Sequence, residues 1–467
     1  MIKRVKPLLI LASAAVVLGI LLWVLVAFVL PKDEAGAEKG NAVVLMDADL
    51  TEADFLEVEN SFGRYKLIKA AIGKYYIEGK KDYPINSGSV VSLLEQIGSL
   101  TAVKKVVDHP SEDQLKDYGL SDPAATFKVT DDEKVYRFYI GAPSASGNYY
   151  FQKDGEESVY LVNASLPDLM LLSRHQFYSD IITAYTDSVS EQGGLTNIIV
   201  ESKNREETVK IKFNDELAEE EAGVSYIMTA PIKHAVSFAM VDRIAALLTD
   251  LSNSSVVGDD TSAAGLKKFG LDQPVSTLRV TMNGKQEIMH FGGVNESEMQ
   301  YCYREGGKFV HAVSASSAAL LEAPLLDYCE DMIYTRAADE LSKIEIKGKE
   351  KSYIIRIGEK DEAGNMAVNI NNRAVDSELF SDFYMHILNI AITGMDEKPK
   401  EDTPYVKVEF TLKDGGVETM EFYPVSDLKC CCKIKGNDRF LVNTQYVDLI
   451  LENAQHLYDG ETIELEW

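Results

Sequence analysis

The residues able to do chemistry are scattered along the chain. Ser426 and Lys429 have the Ser-x-x-Lys spacing at which an amine can act as base for a hydroxyl nucleophile. The Lys-Thr-Gly and Ser-Asp-Asn elements that accompany it in penicillin-recognising enzymes are both missing, so the match is read as chance. Seven histidines, His109, His175, His234, His290, His311, His386 and His456, stand in different local contexts without a His-Glu-x-x-His pair. Surface or satisfied core roles are expected of them. No Gly-x4-Gly-Lys-Ser/Thr loop is present, so the chain is not itself the ATPase of a transporter. The acidic pairs Asp131-Asp132 and Asp259-Asp260 sit at turn-like sites, where they favour turns. Calcium is the alternative there, without an oxygen-ligand loop pattern behind it.

Five cysteines, Cys302, Cys329, Cys430, Cys431 and Cys432, are an odd number with no zinc-site spacing. Alternation along a strand would place Cys430 and Cys432 on one face and Cys431 on the other. They read as small apolar strand residues in preference to metal or redox centres, and their redox state is left open. No catalytic, cofactor-binding or metal-ligating residue is assigned, and no cofactor is expected.

The one patterned stretch is Tyr118-Gly119-Leu120-Ser121-Asp122-Pro123, which returns 151 residues later as Phe269-Gly270-Leu271-Asp272-Gln273-Pro274. The same shift superposes Ile140-Gly141 on Phe291-Gly292, Tyr150 on Tyr301, Val159 on Val310 and Val162 on Val313. The hexamer has two readings. Tyr118 and Phe269 could face a ligand, or the motif could set a turn, with Gly119 and Gly270 supplying a conformation other residues resist and Pro123 and Pro274 blocking helix continuation. The structural reading is preferred, because glycine and proline serve backbone geometry and both copies keep them.

The elements around the motif follow from periodicity. In the first copy a hairpin, 66–70 with 74–78, precedes a helix whose stripe is Val90, Leu93, Leu94, Ile97 and Leu100; Asp108-His109-Pro110 is read as stopping it or closely following its end. Strands at 126–130, 135–141, 148–153 and 158–162 read as an antiparallel meander closed by a short amphipathic segment, 166–172. The second copy repeats this order, with an acidic insertion at 216–221, a helix stripe of Met240, Val241, Ile244, Leu247, Leu248 and Leu251, and strands at 277–281, 287–292, 300–304 and 309–313. A worn third copy has strands at 343–347, 353–357, 366–370 and 406–411 and a helix through Phe380, Phe383, Tyr384, Ile387 and Leu388, but lacks the hexamer. Leu441-Val442-Asn443 repeats Leu161-Val162-Asn163, and on that register Cys430 falls at the position of Tyr150.

Ahead of the repeats, residues 8–30 run for 23 positions without charge or proline, which as a helix matches the hydrocarbon thickness of a bilayer. Lys3, Arg4 and Lys6 precede them, so the positive-inside rule keeps residues 1–7 cytoplasmic and places the body outside the cytoplasm. The run is too long for an ordinary cleaved signal, and no cysteine occurs before Cys302 to carry a lipid. Setting those three cations aside leaves 44 basic against 74 acidic residues, a formal charge of −30. Nucleic acid and anionic lipid are poor partners for such a surface.

The expected class is α+β: tandem repeats of an antiparallel β-meander with an amphipathic helix on one face, after a single N-terminal transmembrane helix. The expected divisions are 1–7 cytoplasmic N-terminus, 8–30 transmembrane helix, 31–45 linker, 46–186 first repeat, 187–335 second repeat and 336–467 degenerate third repeat. A membrane helix followed by units carrying strand pairs, proline, helix, aromatic-Gly-Leu-x-x-Pro, strand, Ile-Gly and Tyr-Leu-Val resembles the domain-of-unknown-function family 4340, across about residues 55–330. Tyr76 and Tyr226 stand where that family's pattern often has tryptophan. The resemblance implies a bacterial envelope protein of the plasma membrane, whose relatives often appear beside genes for gliding-motility-type ABC exporters. It brings no catalytic residue with it. The expectation is thus a non-enzymatic, membrane-anchored extracytoplasmic scaffold or auxiliary subunit of an ABC export system, with a permease and auxiliary subunit as partners. An extracytoplasmic hydrolase or glycan-binding module is the alternative.

Overall fold

The computed structural model describes residues 42–179, 194–213, 225–249, 254–282, 284–361, 364–400 and 402–464. The chain divides into two compact units, Met1–Ser179 and Asp180–Trp467. The first holds one nine-stranded antiparallel sheet and the second holds two.

In the first unit the strands are β1 (Val43–Val44), β2 (Phe55–Asn60), β3 (Gly63–Ala71), β4 (Lys74–Ile77), β5 (Thr101–Asp108), β6 (Ala125–Asp131), β7 (Lys134–Pro143), β8 (Tyr149–Lys153) and β9 (Ser158–Val162). Their spatial order is β1-β5-β9-β8-β7-β6-β2-β3-β4. Helix α1 (Ser87–Gly98) carries the chain from edge strand β4 to β5 near the opposite edge, and Val90, Leu93, Leu94 and Ile97 are its buried stripe. Asn86 caps it by accepting from the Ser89 amide, as a short polar side chain at a helix start should. Two short helices follow, α2 (Glu112–Asp117) and α3 (Ser165–Leu171).

The second unit repeats the plan twice. Its first sheet comprises β10 (Leu195–Ser202), β11 (Arg205–Phe213), β12 (Tyr226–Ala230), β13 (His234–Ala235), β14 (Ser255–Gly258), β15 (Ser276–Met282), β16 (Lys285–Val294), β17 (Met299–Arg304) and β18 (Val310–Ser314), with helices α4 (Phe238–Thr249), α5 (Ala263–Lys267) and α6 (Ala315–Ala318). Its second sheet comprises β19 (Leu341–Lys347), β20 (Ser352–Lys360), β21 (Met366–Ile370), β22 (Arg373–Val375), β23 (Gly394–Met395), β24 (Val406–Leu412), β25 (Val417–Pro424), β26 (Lys429–Ile434) and β27 (Asn437–Asn443), with helices α7 (Ser377–Leu388) and α8 (Thr444–Asp459). In all three sheets the first strand of the early meander pairs with the first strand of the late one: β2 with β6, β10 with β15 and β19 with β24. The strand after the crossover helix always pairs with the last strand: β5 with β9, β14 with β18 and β23 with β27.

This corrects the α+β expectation. The described chain is mainly antiparallel β, and its helices are minor elements between strands of wide sheets. Some of the strands not read from periodicity are short or solvent-facing: β5 reads Thr-Ala-Val-Lys-Lys-Val-Val-Asp, with only Ala102 buried, so no alternation marks it. Others, β2 with Leu56 and Val58 buried and β25 with Met420 and Phe422 buried, do alternate. Asp108 ends β5 and does not stop the helix. Val43 and Val44, in the stretch read as linker, form edge strand β1. The transmembrane helix proposed for residues 8–30 lies outside the described residues, as do the 216–221 insertion, Leu251 and the 186/187 boundary. Among the described residues no helix is long and apolar enough to cross a membrane.

The two sheets of the second unit share one continuous apolar core, which takes in Ile198, Leu278 and Phe291 of one and Ile344, Phe410 and Phe440 of the other. The segment between them is extended, with Met332 bridging to Ala391 and the Ile392 amide donating to the Asp331 carbonyl at 2.8 Å. Val44 pairs with Thr101 in the same way in the first unit, and the Leu45 amide donates to the Leu100 carbonyl at 2.9 Å. Each sheet of these two thus begins with an incoming strand laid beside the residues that follow its crossover helix.

His386 of α7 is fully buried, and its Nε2–H donates to the Tyr446 carbonyl at 3.0 Å. Burial lowers its pKa below the ordinary histidine value, against the opposing effect of that bond. The unfolded chain therefore takes up a proton first as pH falls below about 6.5, so this stabilisation is intact above that pH and shrinks on further acidification. The melting temperature should fall between pH 7.5 and 5.5. In His386→Gln, which keeps a donor for Tyr446, the fall should be smaller; an equal fall in both proteins would contradict this role.

Candidate functional site

The hexamer is a backbone clamp. After α2, Gly119 takes φ +67°, the left-handed region that favours glycine. That turn lets the Leu120 amide donate to the Leu115 carbonyl at 2.8 Å and aims the Tyr118 carbonyl at β7, where it accepts from the Ala142 amide at 2.8 Å. A Cβ on Gly141 would stand 2.2 Å from the Tyr118 oxygen, which is why Ile140 is followed by glycine. Leu120 is buried, and Pro123 leads into β6. Tyr118 is half-buried and stacks on Tyr150 at 4.4 Å between ring centroids.

The second copy repeats the turn and the close approach. Gly270 has φ +69°, the Leu271 amide donates to the Leu266 carbonyl at 3.1 Å, and a Cβ on Gly292 would stand 2.4 Å from the Phe269 oxygen. Leu271 is buried, Pro274 leads into β15, and Phe269 meets Tyr301 edge-on at 5.0 Å. Residues 118/150 and 269/301 are therefore equivalent aromatic pairs. In the third repeat both members are gone together: no aromatic-Gly-Leu precedes β24, and Cys431, which lies opposite Leu441 as Tyr150 lies opposite Leu161, stands in place of the ring, one residue on from the Cys430 that the sequence register points to. All five cysteines are free and buried. Cys430 and Cys432 enter the main core, while Cys431 packs on the other face with Val425 and Leu441. Burial raises the pKa of all three of these thiols and takes that of Cys329 up to about 12, opposite to what a reactive thiolate needs.

Charged clusters on the sheets are cross-strand pairs. Burial works to raise the pKa of Glu57, but hydrogen bonds from Lys128 and Arg64 and the charge of Lys66 prevail and hold it at about 2. Lys66, Glu57 and Lys128 are direct neighbours across β3, β2 and β6, the arrangement that opposite charges adopt on a solvent-facing sheet. In the second unit, Arg439 reaches from β27 to Glu207 of β11 at 2.8 Å and to Asp396 at 2.6 Å, tying the two sheets. Among the described residues no group of three His, Cys, Asp or Glu side chains is arranged to hold a metal ion.

The concave feature that sequence reasoning missed lies along α8. It is an open cleft of about 710 Å³, lined by Lys349, Glu350 and Lys351 of the β19–β20 turn, by Tyr405, by Asp448, Leu451, Glu452, Gln455 and His456 of the helix, and by Glu464. Three contacts shape its walls. Gly348 brings the turn against the helix so closely that a Cβ would lie 2.7 Å from Leu451. Asn453, fully buried, donates to the Glu464 carbonyl and accepts from its amide, both at 2.9 Å, folding the C-terminal segment back along α8. The Tyr405 hydroxyl donates to Asp448 at 2.7 Å; that bond first and burial second raise its pKa to about 12. Gln455 accepts from the Tyr353 hydroxyl at 2.8 Å and from Lys351 at 3.1 Å. The signal for α8 was in the chain: Val447, Ile450, Ala454 and Leu457 recur at helical spacing between an Asn443 cap and a left-handed Gly460.

Wide antiparallel sheets in tandem, each with one crossover helix between its own strands and the first two with an aromatic-glycine clamp, define a class of mainly-β repeat proteins. The family model for a domain of unknown function, DUF4340, matches residues 76–236 and 227–406, and the chain belongs to that family. The two matches begin one repeat apart, and each ends inside the following sheet, so the family's unit straddles two sheets of the structure. No curated protein matches the chain.

Proposed function

We propose that the chain is a non-enzymatic, extracytoplasmic scaffold or auxiliary subunit of an envelope ABC-type export system, held at the plasma membrane through the uncharged stretch 8–30 with its N-terminus cytoplasmic. The observation that carries this reading is the use of the repeated motif: its glycines, prolines and aromatics are spent on joining helix to sheet and present no reacting group. Such repeats offer wide, pre-ordered surfaces to protein partners. The family resemblance supports the transporter context, and the acidic body favours protein partners over nucleic acid.

Affinity purification of the tagged full-length protein from a gentle detergent extract tests the reading. Reproducible recovery of a permease and its ATPase is expected. Recovery of the protein alone, together with turnover of an envelope polymer that depends on paired carboxylates, rejects the scaffold in favour of a hydrolase. Protease added to right-side-out spheroplasts should digest the body, and protection of the body would remove the placement.

A further inference from the structure

The third repeat departs from the other two where its meander ends. After β9 and β18 the chain closes with the short helices α3 and α6, whereas after β27 it builds the 16-residue α8 and the return segment that Asn453 holds. This departure creates the cleft, which the buried Asn453 closes at one end by holding Glu464 back along α8, and whose rim is formed by the exposed Lys349, Glu350, Lys351 and Glu452. A volume of about 710 Å³ is within the roughly 300–1,000 Å³ of small-molecule sites.

The lining decides the ligand class. Leu451 is the one aliphatic side chain in it, so a predominantly apolar ligand would lose hydration without compensation. Two lysines, Lys349 and Lys351, face four carboxylates, Glu350, Asp448, Glu452 and Glu464, which disfavours an anion. A simple polycation would meet the carboxylates but also the two ammonium groups. A polyol suits this mixture: each hydroxyl both donates and accepts, so it can bond to carboxylates and ammonium groups alike, including those already engaged with a neighbour, as Asp448 is with Tyr405 and Lys351 with Gln455. Tyr405 adds a half-buried ring, over which the Lys349 ammonium lies at 5.9 Å from the centroid, so a sugar stacking on it would displace the exposed end of Lys349.

We propose that the α8 cleft binds a short oligosaccharide of about two to three sugar rings, the size its volume admits. The site is independent of the scaffold reading, since a transporter subunit can carry it or lack it. The test uses full-length protein in a detergent without a sugar head group, titrated with diacetylchitobiose, chitotriose and maltotriose by saturation-transfer NMR and calorimetry. At least one of the three should bind saturably. Glu452→Gln, at an exposed position, and Asp448→Asn should each weaken that binding at least tenfold, with the melting temperature of Glu452→Gln unchanged. Absence of binding by all three sugars overturns the proposal, as does equal binding by the Glu452→Gln protein. Saturation of the cleft by a lysine-rich peptide with no response to the sugars also overturns it.

Discussion

Gly141→Ala is expected to destabilise the first unit by about 3 kcal/mol or more, because overpacking against immobile backbone sits at the costly end of single-residue effects. The new methyl would lie 2.2 Å from the Tyr118 carbonyl oxygen, and that oxygen cannot retreat without breaking its 2.8 Å bond from the Ala142 amide and displacing the turn at Gly119. Gly292→Ala should act alike in the second repeat, where the distance to the Phe269 oxygen is 2.4 Å. Gly155→Ala is the control. Its φ is +80° with nothing within 4 Å of the added carbon, so it carries backbone strain alone, at about 1 kcal/mol. Urea unfolding followed by circular dichroism separates the cases. Equal losses for Gly141→Ala and Gly155→Ala would mean that the clamp is not a close contact.

Tyr334→Ala should cost about 3–5 kcal/mol, the range for truncating a large buried ring. Tyr334 is 1% exposed and stacks on Phe410 with ring centroids 4.1 Å apart, and it follows the extended segment that bridges to Ala391. Because the two sheets of the second unit share a core, the loss should not stay in one of them. Hydrogen exchange read by mass spectrometry should show the amides of β15–β18 and β24–β27 losing protection together. Loosening confined to β24–β27 would show two independent domains. Arg439→Ala is the contrast: Glu207 and Asp396 keep 40% and 55% of their side chains exposed, so the ion pairs should be worth less than about 1 kcal/mol despite spanning the sheets. Within the second unit, core continuity is thus expected to join the two sheets more strongly than charge.

Much of this was legible in the sequence. The late meander of each repeat could be read because its strands alternate cleanly: Phe127 and Val129 face the core, while Thr126 and Lys128 face solvent. Shared spacing then carried the reading from one copy to the next. The hexamer announced a backbone role, but its reason was long-range: nothing within the six residues says that Tyr118 must meet Gly141. The strand content was underestimated in part because β5, with Lys104 and Lys105 at its centre, and the two-residue β23 bury too little to leave a periodic trace; β2 and β25 do carry one, in Leu56 with Val58 and in Met420 with Phe422. That shortfall turned a mainly-β chain into an expected α+β one. The α8 cleft was missed for a related reason. Its walls come from residues 348–351, 405, 448–456 and 464, and only the fold brings them together.

In-cell lysine cross-linking of the full-length protein, followed by mass spectrometry of intact envelopes, probes the proposed role in place. The scaffold reading predicts reproducible cross-links from lysines of the exported sheets to an integral membrane protein of an export system, at abundances comparable with the links inside the chain. Cross-links confined to the chain itself, under conditions where those internal links match the strand neighbours described above, would contradict it.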